Sequence, residues 1–210
     1  MKTMLKEAGI LFAITLIAGC LLGLVYQVTK EPIAEAQQKA KDEACKEVFA
    51  DAEGFVLQED ISSEDASSFV QDEGYNVSID EVLEAQDASS SKLGYVITVT
   101  DHEGYGGDIQ FSIGIRNDGT VNGISILSIS ETAGLGMKAK EEKFQSNFKN
   151  KKASQFVVTK SGAAKDGDVD AISGATITSK AVTKGVNSAL AVFENLTKEG
   201  IKLTGGVSVE

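Results

Sequence analysis

The feature that most constrains this chain is a run of 21 residues without a charge, from residue 8 to residue 28. A helix rises about 1.5 Å per residue, so the run would cross a hydrocarbon core of roughly 30 Å. It therefore predicts one membrane-spanning helix. Lys2 and Lys6 precede the run, and by the positive-inside rule they predict a single-pass protein of the cell (inner) membrane with a cytoplasmic N-terminus and an extracytoplasmic domain.

A second interpretation of the same run stays open. Ile17-Ala18-Gly19-Cys20 places small residues before a cysteine, as the cleavage signal of a lipoprotein does. However, residues 21–26 continue the apolar run, where a mature lipoprotein would turn polar. This continuation favours a retained helix with Cys20 in the lipid.

Composition narrows the chemistry available to the rest of the chain. Beyond residue 29 there are 18 basic and 30 acidic residues, and such a charge argues against nucleic acid as a partner. The two cysteines, Cys20 and Cys45, and the single histidine, His102, are too few for an iron–sulfur, haem or zinc site. Any redox chemistry would therefore need an organic cofactor.

The segment after the membrane helix is predicted to be a stalk. Pro32 suits the first turn of a second helix, and an apolar stripe follows at Ile33, Ala36, Ala40, Ala44 and Val48. Residues 47–91 contain no basic residue, which is typical of a solvated surface. We expect a cytoplasmic N-terminus and membrane helix over residues 1–29, a helical stalk and linker over 30–60, and an extracytoplasmic domain over 61–210.

The remaining sequence predicts an α+β domain. Apolar residues alternate with polar or smaller ones over residues 93–129, and Asn117-Asp118-Gly119-Thr120 is typical of a hairpin turn between two strands. A short helix over 141–148, a strand over 155–159 and a C-terminal helix from about Thr178 follow. The apolar face of that helix comprises Val182, Val186, Ala189, Leu190, Phe193 and Leu196. The predicted fold is a twisted antiparallel sheet with packed helices, preceded by one N-terminal transmembrane helix.

A cluster of small residues, Ser173-Gly174-Ala175-Thr176, lies just before the C-terminal helix. Unpaired N–H groups and the positive end of the helix dipole favour a phosphate at such a position, and the hydroxyl of Thr176 would lie beside it. On its own the pattern fits an ordinary helix N-terminus better than a phosphate site, because small residues before a helix are common caps. The neighbouring motifs therefore decide between the two interpretations.

Three motifs in this chain resemble those of FMN-binding domains. Residues 170–179 resemble the flavinylation motif, in which the last Thr or Ser of the small tetrapeptide carries FMN through a phosphoester bond. Residues 131–136, with Ala133 where the family usually has Pro, resemble the second motif, and residues 104–107 resemble a third. With one membrane helix and this length, the chain is similar to the G-subunit family of the Rnf electron-transport complexes.

The resemblance implies roles for individual residues. Thr176 would carry the covalent FMN. Tyr105 would stack on the flavin ring, although the loop 104–107 fits an ordinary hairpin turn better. Lys160, at the end of a strand close before the attachment loop, would balance the charge of the phosphate or the reduced flavin, although solvated surface is the commoner place for a single lysine. The other expected contacts to the cofactor are Ser173, Gly174, Ala175, Ile177, Thr178, Glu131, Thr132, Gly134 and Leu135. The family's FMN is attached by a separate magnesium-dependent flavin transferase that uses FAD and releases AMP. Thr176 would then be a substrate, and Asp170 would shape the loop or be read by the transferase.

The resemblance also implies a function. The chain would carry electrons within a membrane complex that couples ferredoxin and NAD electron transfer to ion translocation, and catalysis would belong to the complex. Its partners would be the other subunits, the flavin transferase and the membrane. Two alternatives remain open: the C-type subunit of a sodium-pumping NADH:quinone oxidoreductase, which shares the attachment motif, and an anchored binding module without flavin.

Overall fold

The computed structural model describes residues 2–160 and 162–198 and divides into two compact units, Met1–Lys41 and Asp42–Glu210. Helix α1 runs from Lys2 to Val48, and the part of it up to Lys41 makes up the first unit. By length and composition, this helix contains a stretch apolar enough to cross a membrane. The large apolar side chains of the charge-free run are exposed in it, as the surface of a lipid-embedded helix would be.

Helix α1 is continuous through Pro32, so the prediction that a second helix begins near this proline is wrong. An interior proline removes one backbone hydrogen bond and costs about 3 kcal/mol. The residues on both sides of Pro32 are mostly good helix formers, with alanine, glutamate and glutamine after it. The helix continues because each of these residues adds a hydrogen bond that offsets the one lost.

A five-stranded antiparallel sheet forms the centre of the second unit, with the strands in chain order. The strands are β1 Gly54–Leu57, β2 Val77–Gln86, β3 Lys92–Asp101, β4 Ile109–Arg116 and β5 Val121–Ile129. Helix α2, Ser63–Asp72, connects β1 to β2. The side chain of Ser62 accepts hydrogen bonds from the backbone N–H groups of Glu64 and Asp65 and so caps this helix.

Beyond the sheet the chain forms short elements and one long helix. These are a 3-10 helix at Gly136–Lys140, helix α3 at Glu142–Gln145, the parallel strand pair β6 Val157–Thr159 and β7 Asp168–Asp170, and helix α4 at Thr176–Lys198. Asn187 of α4 accepts from the backbone N–H of Phe156 at 2.8 Å and donates to its carbonyl at 2.9 Å. This pair of bonds holds the start of β6 against the helix.

The core lies between the sheet and α4. Alternate residues of β3 and β4, including Ile97, Phe111 and Ile113, are fully buried and face the predicted apolar side of α4. All six residues predicted for that side are buried. A smaller apolar cluster around Phe49 and Val96 covers another part of the sheet. The sheet is therefore buried by apolar packing over most of its length, which makes it a rigid support.

The structure confirms the α+β fold and corrects several details. Gly119 has φ of 83° in the predicted hairpin, and the predicted partner strand follows it as β5, Val121–Ile129. The predicted helix over 141–148 is only Glu142–Gln145, and the strand over 155–159 is Val157–Thr159. The elements β1, α2, β2 and β7 were not foreseen. The sheet begins at Gly54, upstream of residue 61, while the domain boundaries themselves stay a prediction.

One carboxylate in this core is poorly solvated. Asp101, at the end of β3, is fully buried, and its Oδ1 accepts from the backbone N–H of Glu103 at 2.8 Å. Its Oδ2 has no hydrogen-bond partner within the described residues. Burial raises the pKa of Asp101 from its ordinary value of 3.8 to about 6. The folded protein therefore holds this proton to a higher pH than the unfolded chain does.

This pKa shift predicts how stability depends on pH. Between about pH 4 and pH 6 the folded state binds more protons at Asp101 than the unfolded state, so this residue lowers the free energy of unfolding as pH rises. We expect Asp101→Asn to be stabilised relative to the parent above pH 6, by up to about 3 kcal/mol, and to lose that advantage near pH 4. Unfolding in detergent at several pH values would measure the difference. A difference that does not change with pH would contradict the prediction.

Candidate functional site

The buried carboxylate of Glu131 joins two of the three predicted motifs. Glu131 follows β5 and is only 8% exposed. Its Oε1 accepts hydrogen bonds from the backbone N–H of Tyr105 at 2.7 Å and of Gly106 at 3.3 Å. A charged acceptor makes these bonds stronger than neutral ones. Glu131 thus holds the loop 104–107 against the loop 131–136.

Glycine is required where these loops meet. A Cβ on Gly136 would lie 2.7 Å from Oε2 of Glu131 and 2.7 Å from Oγ1 of Thr178. A Cβ on Gly106 would lie 2.2 Å from the carbonyl oxygen of Ser130. Both distances are far inside van der Waals contact, so a side chain at either position would push the loops apart. Because these positions have no side chain, Thr178 of the flavinylation motif also packs against the two loops.

The turn before α4 is held by Ser179. Its Oγ accepts from the backbone N–H of Ile172 at 2.9 Å and donates to the carbonyl of Ala175 at 2.9 Å. Gly174 has φ of 78°, a conformation that glycine adopts easily. A Cβ on Gly174 would also lie 3.0 Å from the Cδ2 atom of Leu135. The small tetrapeptide therefore forms a fixed turn.

Helix α4 begins at Thr176, two residues before the predicted start. Thr178 and Ser179 consequently lie inside its first turn, where they are 1% and 0% exposed. Thr178 is thus not a helix cap. Thr176 is only half-buried and Ile177 is exposed. Of the three hydroxyl residues in this stretch of α4, Thr176 is the one that is not buried.

An apolar cleft of about 530 Å³ lies where the three motifs meet. Its lining includes three exposed apolar side chains, Tyr105, Leu135 and Ile177, which are 71%, 42% and 51% exposed. The remaining lining residues are Glu131, Thr132, Gly136, Gly174, Ala175, Thr176 and Thr178. Apolar side chains exposed around a concave surface are typical of a site for a flat, largely apolar ligand.

Three predicted contacts lie elsewhere. Lys160 and Ser173 line a second cleft of about 650 Å³, together with Asp170. Gly134, with φ of 75°, lines neither cleft. Apart from Thr176 and Tyr105, which also line the apolar cleft, seven of the ten predicted cofactor contacts lie in this cleft, and Lys160, Ser173 and Gly134 lie outside it.

Sequence reasoning missed two residues that shape the site. Gly136 ends the motif 131–136 but was not predicted to contact the cofactor. Ser179 ends the flavinylation motif 170–179 and was not given a role either. A glycine at the end of the Glu131 motif could have suggested a close approach. Nothing in the sequence indicates the bonds of Ser179 to Ile172 and Ala175, because its burial depends on where α4 begins.

The bonds of Glu131 lead to a testable expectation. Glu131→Ala leaves the N–H groups of Tyr105 and Gly106 without their acceptor in the protein, and each hydrogen bond lost contributes about 1 kcal/mol. We expect these two amides to exchange hydrogen faster in the variant, as measured by mass spectrometry on the detergent-solubilised protein. Glu131→Gln keeps an oxygen acceptor and should lose less protection. Equal protection in the alanine variant and the parent would show that the carboxylate does not hold the loop.

Comparison with known proteins agrees with this geometry. The FMN-binding domain family matches residues 104–191, and the RnfG N-terminal region matches residues 1–48. The C-type subunit of a Na(+)-translocating NADH-quinone reductase from Parabacteroides distasonis matches over 74% of this chain and 79% of that chain, with a TM-score of 0.47 and 22% identity. The first of these matches identifies the domain that holds the cleft as an FMN-binding domain, which decides against a binding module without flavin.

Two relatives match over nearly their whole length. The G-type subunit of the Na(+)-translocating ferredoxin:NAD(+) oxidoreductase complex of Acetobacterium woodii is 35% identical over 94% of this chain and 95% of its own. Its counterpart in the proton-translocating complex of Clostridium ljungdahlii is 31% identical over 88% of this chain and 92% of its own. This chain therefore belongs to the G-subunit family of Rnf-type ion-translocating electron-transfer complexes.

Proposed function

We propose that this subunit carries electrons through an FMN bound covalently, by a phosphoester bond, to Thr176. The observation that carries the proposal is the accessible hydroxyl of Thr176, which lines the apolar cleft at the first residue of α4. Thr178 and Ser179, the nearest alternatives in the helix, are buried. When bound, FMN supplies the one- and two-electron chemistry that protein side chains lack.

The residues of the apolar cleft suit the ring system of a flavin. Its volume of about 530 Å³ lies within the usual range for small-molecule sites, roughly 300–1,000 Å³. Tyr105 and Leu135 offer apolar surfaces to a planar ring, and burying exposed apolar surface is favourable by about 25 cal/mol per Å². The glycines at 136 and 174 keep the backbone close to this space. These features support the cleft as the flavin's position.

The start of α4 suits the phosphate. Within the described part of the chain, the backbone N–H groups of Thr176, Ile177 and Thr178 donate to no protein acceptor. Unpaired N–H groups and the helix dipole together favour an anion at this end of a helix. A phosphate joined to the hydroxyl of Thr176 would lie within reach of them. Lys160 lines the neighbouring cleft, and its charge would act on this phosphate only at longer range.

We further propose that the electrons pass between other subunits of the complex. The relatives from Acetobacterium woodii and Clostridium ljungdahlii are named as parts of ferredoxin:NAD(+) oxidoreductase complexes that translocate sodium ions or protons. By analogy, this subunit would act in a complex of the same kind, after a flavin transferase has attached the cofactor. Thr176 would then be modified by that enzyme and would not act as a catalyst.

Helix α1 would anchor the subunit, and the flavin domain would lie outside the cytoplasm. Lys2 and Lys6 ahead of the charge-free run support this orientation. Covalent attachment suits such a position, because FMN that dissociated outside the cytoplasm would diffuse away. A phosphoester bond keeps the cofactor with the domain through every turnover.

The attachment residue can be tested by substitution. Thr176→Ala removes the accessible hydroxyl and leaves the apolar face of α4 intact, so we expect a folded protein without covalent flavin. Thr176→Ser keeps the oxygen and should still be modified. Flavin fluorescence in a denaturing gel, after expression with a flavin transferase, would measure attachment in each variant.

The matched control is Ser173→Ala, because Ser173 is an exposed hydroxyl in the same turn. This variant should keep covalent flavin. Thr178→Ala should also keep it, since Thr178 is buried. Fluorescence that persists in Thr176→Ala and disappears in one of the other two variants would move the attachment site and contradict the proposal.

The orientation can be tested with a reporter enzyme that folds only outside the cytoplasm. A reporter fused to the C-terminus should be active, because the positive charges of Lys2 and Lys6 hold the N-terminus inside. The same reporter fused directly after Lys6 should be inactive. A C-terminal fusion that is active only with a cytoplasmic reporter would reverse the proposed orientation.

A further inference from the structure

Charge is strongly segregated along the part of the chain that follows α1. Residues 47–91 contain 13 acidic residues and no basic residue. Residues 136–165 contain eight lysines and two acidic residues, in a chain with only 20 basic residues in all. We name these segments the acidic segment and the lysine segment. A random distribution of charge on a solvated surface would not separate the signs in this way.

The sheet topology turns this separation in sequence into a separation in space. Most of the acidic segment, in β1, α2 and β2, lies at one edge of the sheet, whereas Glu47 and Asp51 at its start bond to Ser125 of β5 and Arg116 of β4. The lysine segment packs at the other edge: the 3-10 helix and α3 lie against β5, and Val121 of β5 exchanges backbone hydrogen bonds with Lys151 at 2.8 and 3.0 Å. Strands are spaced by about 4.8 Å, so the two edges lie roughly 19 Å apart. Most of the negative charge of the acidic segment and most of the positive charge of the lysine segment therefore lie toward opposite edges of the sheet.

The edge of the sheet that carries the lysine segment adjoins the turn at residues 172–175, just before Thr176, which we call the attachment turn. Lys138, Lys143 and Lys160 are exposed and line the cleft of about 650 Å³ that Ser173 also lines; we name it the lysine cleft. Two acidic residues, Glu141 and Asp170, line it as well.

The lysines of the cleft are not neutralised within the domain. Among the residues described, none of the three forms an ion pair, whereas Lys151 pairs with Asp166 at 3.0 Å and Lys152 with Asp118 at 3.8 Å. The cleft therefore presents free positive charge next to the turn that carries Thr176.

We propose that the lysine cleft docks an acidic protein surface on the subunit that exchanges electrons with the flavin. This inference rests on the proposed function, because it needs a redox cofactor at Thr176. Complementary charges raise the rate of productive encounter and orient the partner, and they change the rate more than they change the affinity. A domain with opposite charges at its two edges would turn its positive edge, and with it the attachment turn, toward a negative surface.

Other anionic partners fit these observations less well. An anionic membrane and a nucleic acid are extended surfaces that would meet the acidic segment as well as the lysine cleft, and the 13 carboxylates of that segment would repel them, whereas an acidic protein loop would meet the cleft alone. The lysine cleft is also concave, which suits a protruding acidic loop better than a flat membrane. Neither a lipid nor a nucleic acid could exchange electrons with the flavin at this position.

The test uses the assembled complex with all of its subunits. Lys143→Glu and the double variant Lys138→Glu/Lys143→Glu reverse charge in the lysine cleft without touching the residues of the apolar cleft. The matched control is Lys198→Glu, because Lys198 is also exposed but lies at the far end of α4, beside α2 of the acidic edge. Covalent flavin is measured first, by fluorescence, and the rate of flavin reduction is then measured by stopped flow at increasing salt.

We expect covalent flavin to be unchanged in all variants. At low salt, the double variant should reduce its flavin about tenfold more slowly than the parent, and the two rates should converge at high salt because screening removes the attraction. Lys198→Glu should behave like the parent. Equal rates in the double variant and the parent at low salt would overturn the proposal.

Two further outcomes would assign the lysine cleft to another partner and would also overturn the proposal. Loss of covalent flavin from the double variant would indicate that the cleft is read by the transferase. Loss only of binding to anionic lipid vesicles would indicate a membrane contact. If the parent itself lacks covalent flavin, the proposed function fails. Docking is then measured as the salt-dependent binding of this subunit to the other subunits of the complex. The docking proposal holds in that case only if the double variant binds them less than Lys198→Glu does.

Discussion

The site depends on one buried carboxylate. Glu131 lies at the end of β5 and accepts hydrogen bonds from the backbone of the loop 104–107, while Gly136 packs directly on its other oxygen. Thr178 of α4 approaches Gly136 on the same side as Glu131 does. The loops 104–107 and 131–136 and the first turn of α4, which are distant in sequence, therefore lie in contact with one another. Without this acceptor the backbone N–H groups of Tyr105 and Gly106 would lose their protein partner, and the loop 104–107 would lose the bonds that tie it to Glu131.

The loops can be rich in glycine because the rest of the domain is rigid. Strands β3 and β4 are buried along most of their length, and α4 covers them with an apolar face that extends over most of the helix. The first turn of α4 is therefore fixed by packing far from the site. Ser179 then converts that fixed helix into a fixed turn at residues 172–175. An accessible hydroxyl on such a turn can be presented to a modifying enzyme without local unfolding.

The distribution of charge adds a second level of organisation. The order of the strands places most of the acidic segment and the lysine segment at opposite edges of one sheet. The turn before α4 lies beside the lysine segment, since Ser173 and Lys160 share a cleft. The proposed electron carrier would have to meet its partners in one orientation and leave them again. Weak electrostatic guidance is suited to that requirement, because it raises the rate of encounter more than it raises affinity.

Several features were determined by the sequence alone. The charge-free run of residues 8–28 has the length and apolarity of a membrane helix whatever the rest of the chain does. The alternation of residues in β3 and β4 and the turn at Gly119 are local signals, since side-chain period and positive φ are decided within a few residues. The apolar face of α4 follows from its period in the same way. The three motifs could be recognised because each is a short continuous segment.

Other features were decided only by the tertiary structure. β2 was missed because its burial depends on pairing with β3 and on cover from α2, so its polar residues hide the pattern that a lone strand would show. Lys160 was predicted beside the cofactor from its closeness in sequence, but β6 directs it to the neighbouring cleft. Thr176, Thr178 and Ser179 are all hydroxyl residues at the predicted start of α4, and in the sequence only the motif resemblance singles out Thr176. Burial of the first turn of α4 distinguishes them, because a hydroxyl packed in a core cannot be reached, whereas one at the edge of a cleft can.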